Sequence, residues 1–232
     1  MVIGEVVLMP FQIVAQTENF VVINKPCGVS VHKDDNEQGL TTQLAEQLGV
    51  EQVWLVHRLD KSTSGLLLCA LNRQAAAELS AQFAAHQVQK IYLALATGKP
   101  KKKQGLIKGD MVRSRRAMWT LSPSCSNPAI TRFYSISCES GLRLFVLKPQ
   151  TGKTHQLRVA MKSLGSPILG DPLYGDKSPA DRCYLHAALL AFSFAGERFC
   201  YSLLPQGVYF ERECVKAQIA AVLQQEITEI QQ

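Results

Sequence analysis

Two short segments of the chain hold more titratable and small polar residues than folding alone requires. The first is His57-Arg58-Leu59-Asp60-Lys61-Ser62-Thr63-Ser64-Gly65, set between the apolar runs VWLV and LLLCAL. Asp60 stands among cations, and neighbouring positive charge keeps a carboxylate ionised, as a nucleophile or general base must be. The same residues fit an aspartate-capped turn with a surface ion pair, and spacing alone leaves both readings open. The second segment is Thr151-Gly152-Lys153-Thr154-His155-Gln156-Leu157-Arg158, which opens a helical pattern. Lys153, His155 and Arg158 at a helix start would face something anionic, since helix N-termini favour negative charge. Its Gly-Lys-Thr invites a phosphate-loop reading, but that motif needs a glycine five residues before Gly152, and position 147 is leucine. A nucleophile-elbow serine is absent as well.

Metal and cofactor chemistry find no support in the spacing. None of the five histidines is paired at i, i+4 or beside a cysteine cluster. The seven cysteines (Cys27, Cys69, Cys125, Cys138, Cys183, Cys200 and Cys214) are scattered, with no C-x-x-C pair. Most sit in apolar company, where a thiol acts as a small hydrophobe, so a reduced, cytoplasmic protein is expected.

Charge is concentrated. The net charge is +6, yet Lys99–Met118 alone carries eight basic residues against one acid, Asp110, leaving the rest of the chain at −1. Lys101, Lys102, Lys103, Arg113, Arg115 and Arg116 belong to this stretch, which its glycines and proline mark as a loop or hairpin insertion. Such a stretch on a near-neutral body fits a polyanion partner or a solvated surface loop, and charge cannot choose between RNA, DNA and acidic protein.

The elements that must position these residues follow from periodicity. FVVIN at 20–24 reads as a strand, 40–48 as a short helix, Ser64–Leu71 as a buried strand, and the alanine-rich 73–87 as a helix. A strand returns at Lys90–Ala96, and 130–138 with 142–148 form a hairpin around Ser140–Gly141. Residues 153–164 read as a helix with Leu157, Met161 and Leu164 on one stripe, ended by Gly165. Cys183–Phe194 and Phe199–Leu203 are apolar segments, and 211–232 holds a terminal helix. Strands come as hairpins as often as through helices, so the expected class is α+β (mixed α/β), with a central, mainly antiparallel sheet flanked by helices and loops.

The chain's 232 residues exceed the roughly 150 of an average domain, but no linker, repeat or low-complexity boundary divides them, so one domain over 1–232 is expected. With 47% hydrophobic and 19% charged residues the chain can build a core and is not disordered. No apolar run approaches the ~18 residues of a membrane span, and the first ten residues lack a secretory pattern. A globular intracellular protein without a membrane association is the expectation.

At these two segments the chain resembles a pseudouridine synthase of the RluA type, a family of ribosomal large-subunit and transfer-RNA uridine isomerases. The matching pieces, in order, are INKPCGVSVH at 23–32, HRLDKSTSGLLLCA at 57–70, QKIYLAL at 89–95, PAITRF at 128–133, TGKTHQLRVAMKSLGSPILGDPLYG at 151–175 and LHAALLAF at 185–192. The resemblance as a whole runs over about residues 11–210. The resemblance implies that Asp60 is the essential catalytic group and that Arg58 contacts RNA around an extruded nucleotide. It further implies that Tyr92 packs against the target base and assists at C5, and that Arg158 pairs with Asp60. His57, Lys61, Lys153 and His155 join Arg58 as expected RNA contacts, together with the basic stretch. The reaction needs no cofactor or metal.

Three departures stand out. Lys153 replaces the usual arginine of TGRTHQ and would meet a phosphate as a point charge instead of a bidentate fork. Cys27 and Cys69 replace a common alanine and valine, both read as packing changes. No S4-type RNA-binding domain is expected before the matching region, and recognition of a stem-loop in ribosomal or transfer RNA, by a monomer, is expected to rest on the catalytic domain and its basic stretch. Two other functions compete: an inactive RNA-binding or RNA-folding module of the same fold, and a base-cleaving N-ribohydrolase, which would release free uracil.

Overall fold

A computed structural model of the chain describes residues 11–31, 39–115, 118–175 and 179–231. Eleven strands form one mixed sheet and four helices pack on it. In chain order they are β1 (Gln12–Gln16), β2 (Phe20–Lys25), α1 (Leu40–Leu48), β3 (Trp54–Leu55), β4 (Ser64–Ala70), α2 (Arg73–Ala84), β5 (Gln89–Ala96) and β6 (Gln104–Arg113). Then follow β7 (Trp119–Ser122), β8 (Pro128–Glu139), β9 (Leu142–Pro149), α3 (Gln156–Ser163), β10 (Leu185–Phe194), β11 (Glu197–Ser202) and α4 (Glu213–Gln231). The sheet order is β1-β2-β4-β10-β5-β9-β8-β6-β7, with β3 paired to β4 and β11 to β10. Every pairing is antiparallel except β4 with β10.

Strands that read as continuous apolar runs are buried on both faces, and the period of two sorts their side chains. Val21 and Ile23 of β2 join Leu67 and Cys69 of β4 against Leu40 and Leu44 of α1. Phe20 and Val22 join Leu66, Leu68 and Ala70 on the other face, under Ala75 and Leu79 of α2. A third cluster fills the other half of the sheet, where β5, β9 and β10 meet α3 and α4. The Asn72 carboxamide caps α2 by accepting the Ala75 N–H at 2.8 Å.

The single parallel contact joins the halves and sets the site. It pairs Ser64 and Gly65 of β4 with His186 and Ala187 of β10, directly after the Asp60 segment. Gly65 has φ +108°, and a Cβ there would stand 2.3 Å from the Ala187 carbonyl oxygen.

Two expectations are corrected. The basic stretch is a hairpin, one of its two expected forms, but not an insertion: β6 is ten residues long and pairs with β8 of the main sheet as well as with β7. Its glycines mislead because Gly109 answers to close strand approach, a Cβ there lying 2.3 Å from the Ser122 carbonyl oxygen. The third helix begins at Gln156 and not at 153, because His155 takes a left-handed φ of 58° that a helix cannot propagate.

Candidate active site

The loop between β3 and β4 holds Asp60, and neighbouring backbone ties it down. The Thr63 N–H donates to the Asp60 carbonyl at 3.0 Å, closing a tight turn. The Lys61 carbonyl accepts the Gly28 N–H at 2.8 Å and the Lys25 ammonium at 3.4 Å. Lys25 is fully buried, and its Nζ also donates at 2.8 Å to the carbonyls of Pro26 and Val29. Burial brings its pKa down to about 8, against the charge of Asp60, so the three carbonyls solvate an ammonium ion at neutral pH. Cys27 is more than a packing change, since its thiol donates to the Ser62 carbonyl at 3.1 Å.

Arg158, in the first turn of α3, meets this loop from the other side. Its Nη1 lies 3.5 Å from Asp60 Oδ2, with the guanidinium 4% and the carboxylate 18% exposed. Its Nε and Nη2 donate to the two oxygens of Asp171, each at 2.7 Å, in a fork-to-fork pair. Asp171 Oδ1 also accepts the N–H groups of Leu173 and Tyr174 at 2.9 and 3.0 Å. Burial works against both charges, but the mutual hydrogen bonds and charge prevail: the Asp171 pKa goes down and the Arg158 pKa up. The 151–155 segment leading into α3 is shaped by buried Gln156. Its Oε1 accepts the Thr151 hydroxyl and the Lys153 N–H at 2.8 and 2.9 Å, and its Nε2 donates to the Ile130 carbonyl and Thr131 hydroxyl.

Between these two segments opens a cleft of about 490 Å³, within the roughly 300–1,000 Å³ common for ligand pockets. Asp60, Tyr92 and Arg58 line it with Lys153, His155 and Lys90. Asp60 is the one carboxylate among the described residues of its wall. The cleft is therefore built for an anionic ligand with a single negative group beside it. Tyr92 lies on β5 between Leu147 of β9 and Ala187 of β10, and burial, reinforced by the charge of Asp60, raises its pKa so that the phenol stays protonated.

The structure places the other expected contacts unevenly. Arg58 is exposed at the cleft; Lys61 is exposed on the loop beside Asp60. His57 lines the cleft, but its Nε2 accepts the Leu68 N–H at 2.9 Å and its ring stacks on Phe83 at 4.3 Å. Burial lowers its pKa to about 3, so the ring is neutral and offers no charge to a phosphate. Lys153 Nζ donates to Asn127 Oδ1 at 2.6 Å, which ties it to the loop that Asp110 holds through the Ser126 and Asn127 N–H groups.

The basic stretch is divided between two places. The Lys101 ammonium and N–H donate to the Ser163 and Leu164 carbonyls, at the end of α3 away from the cleft, with Lys102 and Lys103 exposed beside it. Arg113 and Arg115 instead occupy the exposed tip of the β6–β7 hairpin, whose Trp119 N–H donates to the Tyr174 hydroxyl at 2.8 Å. That hydroxyl is 2.9 Å from the ring nitrogen Nδ1 of His155. Arg116 lies outside the described residues.

Sequence reasoning passed over Asp171, Tyr174 and Lys90. The first two sit in GDPLYG, part of a matching piece to which no role was given, and an aspartate followed by residues whose N–H groups it can cap was the available signal. Lys90 carries no local signal, because its place in the cleft depends on how β5 pairs in the sheet.

Comparison with known proteins agrees with this geometry. Residues 19–163 match the family model described as RNA pseudouridylate synthase. The chain is 57% identical over 217 residues, 93% of its length and 97% of the other's, to an uncharacterized RNA pseudouridine synthase of Haemophilus influenzae. It is 37% identical over 207 residues to ribosomal large subunit pseudouridine synthase D of Zymomonas mobilis, covering 79% of this chain and 65% of that longer protein. Among solved structures it is similar to human RNA pseudouridylate synthase domain containing 1, with a TM-score of 0.71 and 30% identity over 89% of this chain and 86% of that one.

Proposed function

The chain belongs to the RNA pseudouridylate synthase family, isomerases that act on RNA, and on that premise we propose that it turns specific uridines of ribosomal or transfer RNA into pseudouridine with Asp60 as the catalytic group. The observation that carries the reading is the 3.5 Å ion pair between Asp60 and Arg158, at a cleft whose other charged walls are cationic.

The reaction breaks the bond between N1 and C1′, turns the base, and joins C5 to C1′. N1 ends with a proton, C5 loses one, and nothing is added or removed overall. Ionised Asp60 attacks either C1′ or C6, and Arg158 compensates its charge where water is scarce. A stacked uridine cannot reach Asp60, so the nucleotide is flipped into the cleft. There the protonated phenol of Tyr92 packs against the base near C5, and Arg58 holds the flanking backbone. His57 keeps the Asp60 loop in register from below. The hairpin arginines and Lys153 steady the RNA through its phosphates, which position without reading sequence. No helix among the described residues is long and apolar enough to cross a membrane. A monomer acting in the cytoplasm, with residues 1–232 as one catalytic domain, completes the proposal.

Tritium release from C5-tritiated uridine in unmodified ribosomal and transfer RNA tests it. Wild type should release tritium from one pool. Asp60→Ala should release none while still binding that RNA; turnover by Asp60→Ala would remove Asp60 from its role.

A further inference from the structure

The proton inventory around Tyr174 settles the state of a second group in the cleft. Tyr174 is buried in the turn after Asp171, and its ring meets His155 edge-on at 5.6 Å. The Trp119 N–H can only donate, so it occupies one lone pair of the Tyr174 hydroxyl at 2.8 Å. The hydroxyl keeps one proton, and among the described residues the acceptor within reach is Nδ1 of His155, at 2.9 Å. Were Nδ1 protonated, it would donate to the hydroxyl and leave the buried phenolic proton without a partner, which folded proteins avoid. Nδ1 is therefore the acceptor, and the ring's own proton sits on Nε2.

His155, whose backbone is left-handed, lines the cleft, and among the described residues its hydrogen-bonded ring nitrogen is Nδ1, leaving Nε2 for a ligand. We propose that Tyr174 is a positioning residue that holds His155 as the neutral Nε2–H tautomer, and that His155 donates from Nε2 to an oxygen of the flipped uridine nucleotide. The identity of the acceptor rests on the function proposed above; the tautomer does not. Charged groups face the ring from several elements: Asp60 and Arg58 from the β3–β4 loop, Arg158 from α3, and Asp171 from the turn before Tyr174. Burial lowers its pKa in spite of Asp60, in keeping with a neutral ring. His155, expected from sequence to face something anionic in the RNA, then meets the nucleotide as a neutral directional donor. Because the third member is the backbone of β7, the donor is held by the same hairpin that carries Arg113 and Arg115.

Nitrogen-15 NMR of the full chain at pH 7, with His155 assigned by its loss in His155→Gln, reads the tautomer directly and needs no RNA. Wild type should show protonated Nε2 and bare Nδ1, and Tyr174→Phe should move His155 towards a mixture. Protonated Nδ1 in wild type, or an unchanged tautomer in Tyr174→Phe, would overturn the assignment. Kinetics test the donor, since a glutamine amide overlays Nε2 and an asparagine amide overlays Nδ1. His155→Gln should keep kcat within about tenfold and His155→Asn should lose about a hundredfold, with KM for RNA changing less than about threefold in both. A merely structural role predicts the reverse order, because asparagine accepts the left-handed backbone better than glutamine does. Equal losses, or asparagine outperforming glutamine, would sink the donor role.

Discussion

Arg158 is gripped twice by Asp171, at 2.7 Å from Nε and from Nη2, and reached once by Asp60, at 3.5 Å. The carboxylate that the proposed chemistry uses is the looser partner. Asp171, which is fully buried, fixes the plane of the guanidinium, so that Nη1 is left to face Asp60. A loose second contact suits a group that must change its bonding during a reaction, whereas a bidentate clamp suits one that must not move.

Asp171→Asn should therefore damage both activity and stability. An asparagine can keep one of the two bonds to Arg158 but not its charge, which leaves Asp60 at 3.5 Å as the remaining carboxylate, and the loss should stay below the roughly 3–5 kcal/mol of a buried charge with no partner. Tritium release should fall by roughly ten- to a hundredfold, mostly in kcat, because the displaced Nη1 no longer faces Asp60. Urea denaturation should show the stability loss alongside. Unchanged kcat in a folded variant would mean that Asp60 does not need Arg158 held.

RNA binding should divide as the basic stretch does. Replacing Arg113 and Arg115 by alanine, at the hairpin tip linked through Trp119 and Tyr174 to the cleft, should weaken RNA binding and lower its salt slope by about one log unit for each phosphate no longer neutralised. The Lys101, Lys102 and Lys103 triple alanine variant, altered at the far end of α3, should have the smaller effect. Filter binding across a salt series compares them, and a larger slope change in the lysine variant would place the RNA path over the far end of α3.

Acid should unfold the protein partly through His186. Its Nδ1 pairs with the Ser64 hydroxyl at 2.8 Å and its Nε2 with the Leu203 carbonyl at 3.1 Å, in the interior. Burial lowers its pKa to about 3, so the folded ring stays neutral while the unfolded one takes up a proton near 6.5. The unfolded state then binds more protons between those values, and stability present above pH 6.5 is lost as pH falls towards 3, by up to roughly 5 kcal/mol from this ring. Urea midpoints at pH 7, 5.5 and 4.5 should fall steeply in wild type and less steeply in His186→Gln. Parallel slopes would show that His186 does not drive the loss.

Local order was legible in the residues themselves. The 40–48 helix has the predicted bounds, and β2, β4, β5 and the β8–β9 hairpin fall within two residues of the expected strands. Each depends on neighbours two to four positions away, which the sequence lists in order. β1 went unread: its burial is partial and a bulge interrupts its pairing with β2. The family resemblance pointed to Asp60, Tyr92 and Arg158; the fold brings Asp60 and Tyr92 to one cleft from the β3–β4 loop and β5, with Arg158 of α3 ion-paired to Asp60.

By itself, then, the sequence determined the family, the fold class and the motifs that come together at the cleft. Tertiary structure alone decided how the polar groups are shared: Arg158 between two carboxylates, the basic stretch between two ends of α3, the Tyr174 hydroxyl between Trp119 and His155. Those outcomes turn on distances of 2.7 against 3.5 Å and on which donors lack another acceptor. Residues 60, 119, 158 and 174 are remote along the chain, and only the packed sheet brings their atoms within hydrogen-bonding and ion-pairing range, where tenths of an ångström and single lone pairs decide the result.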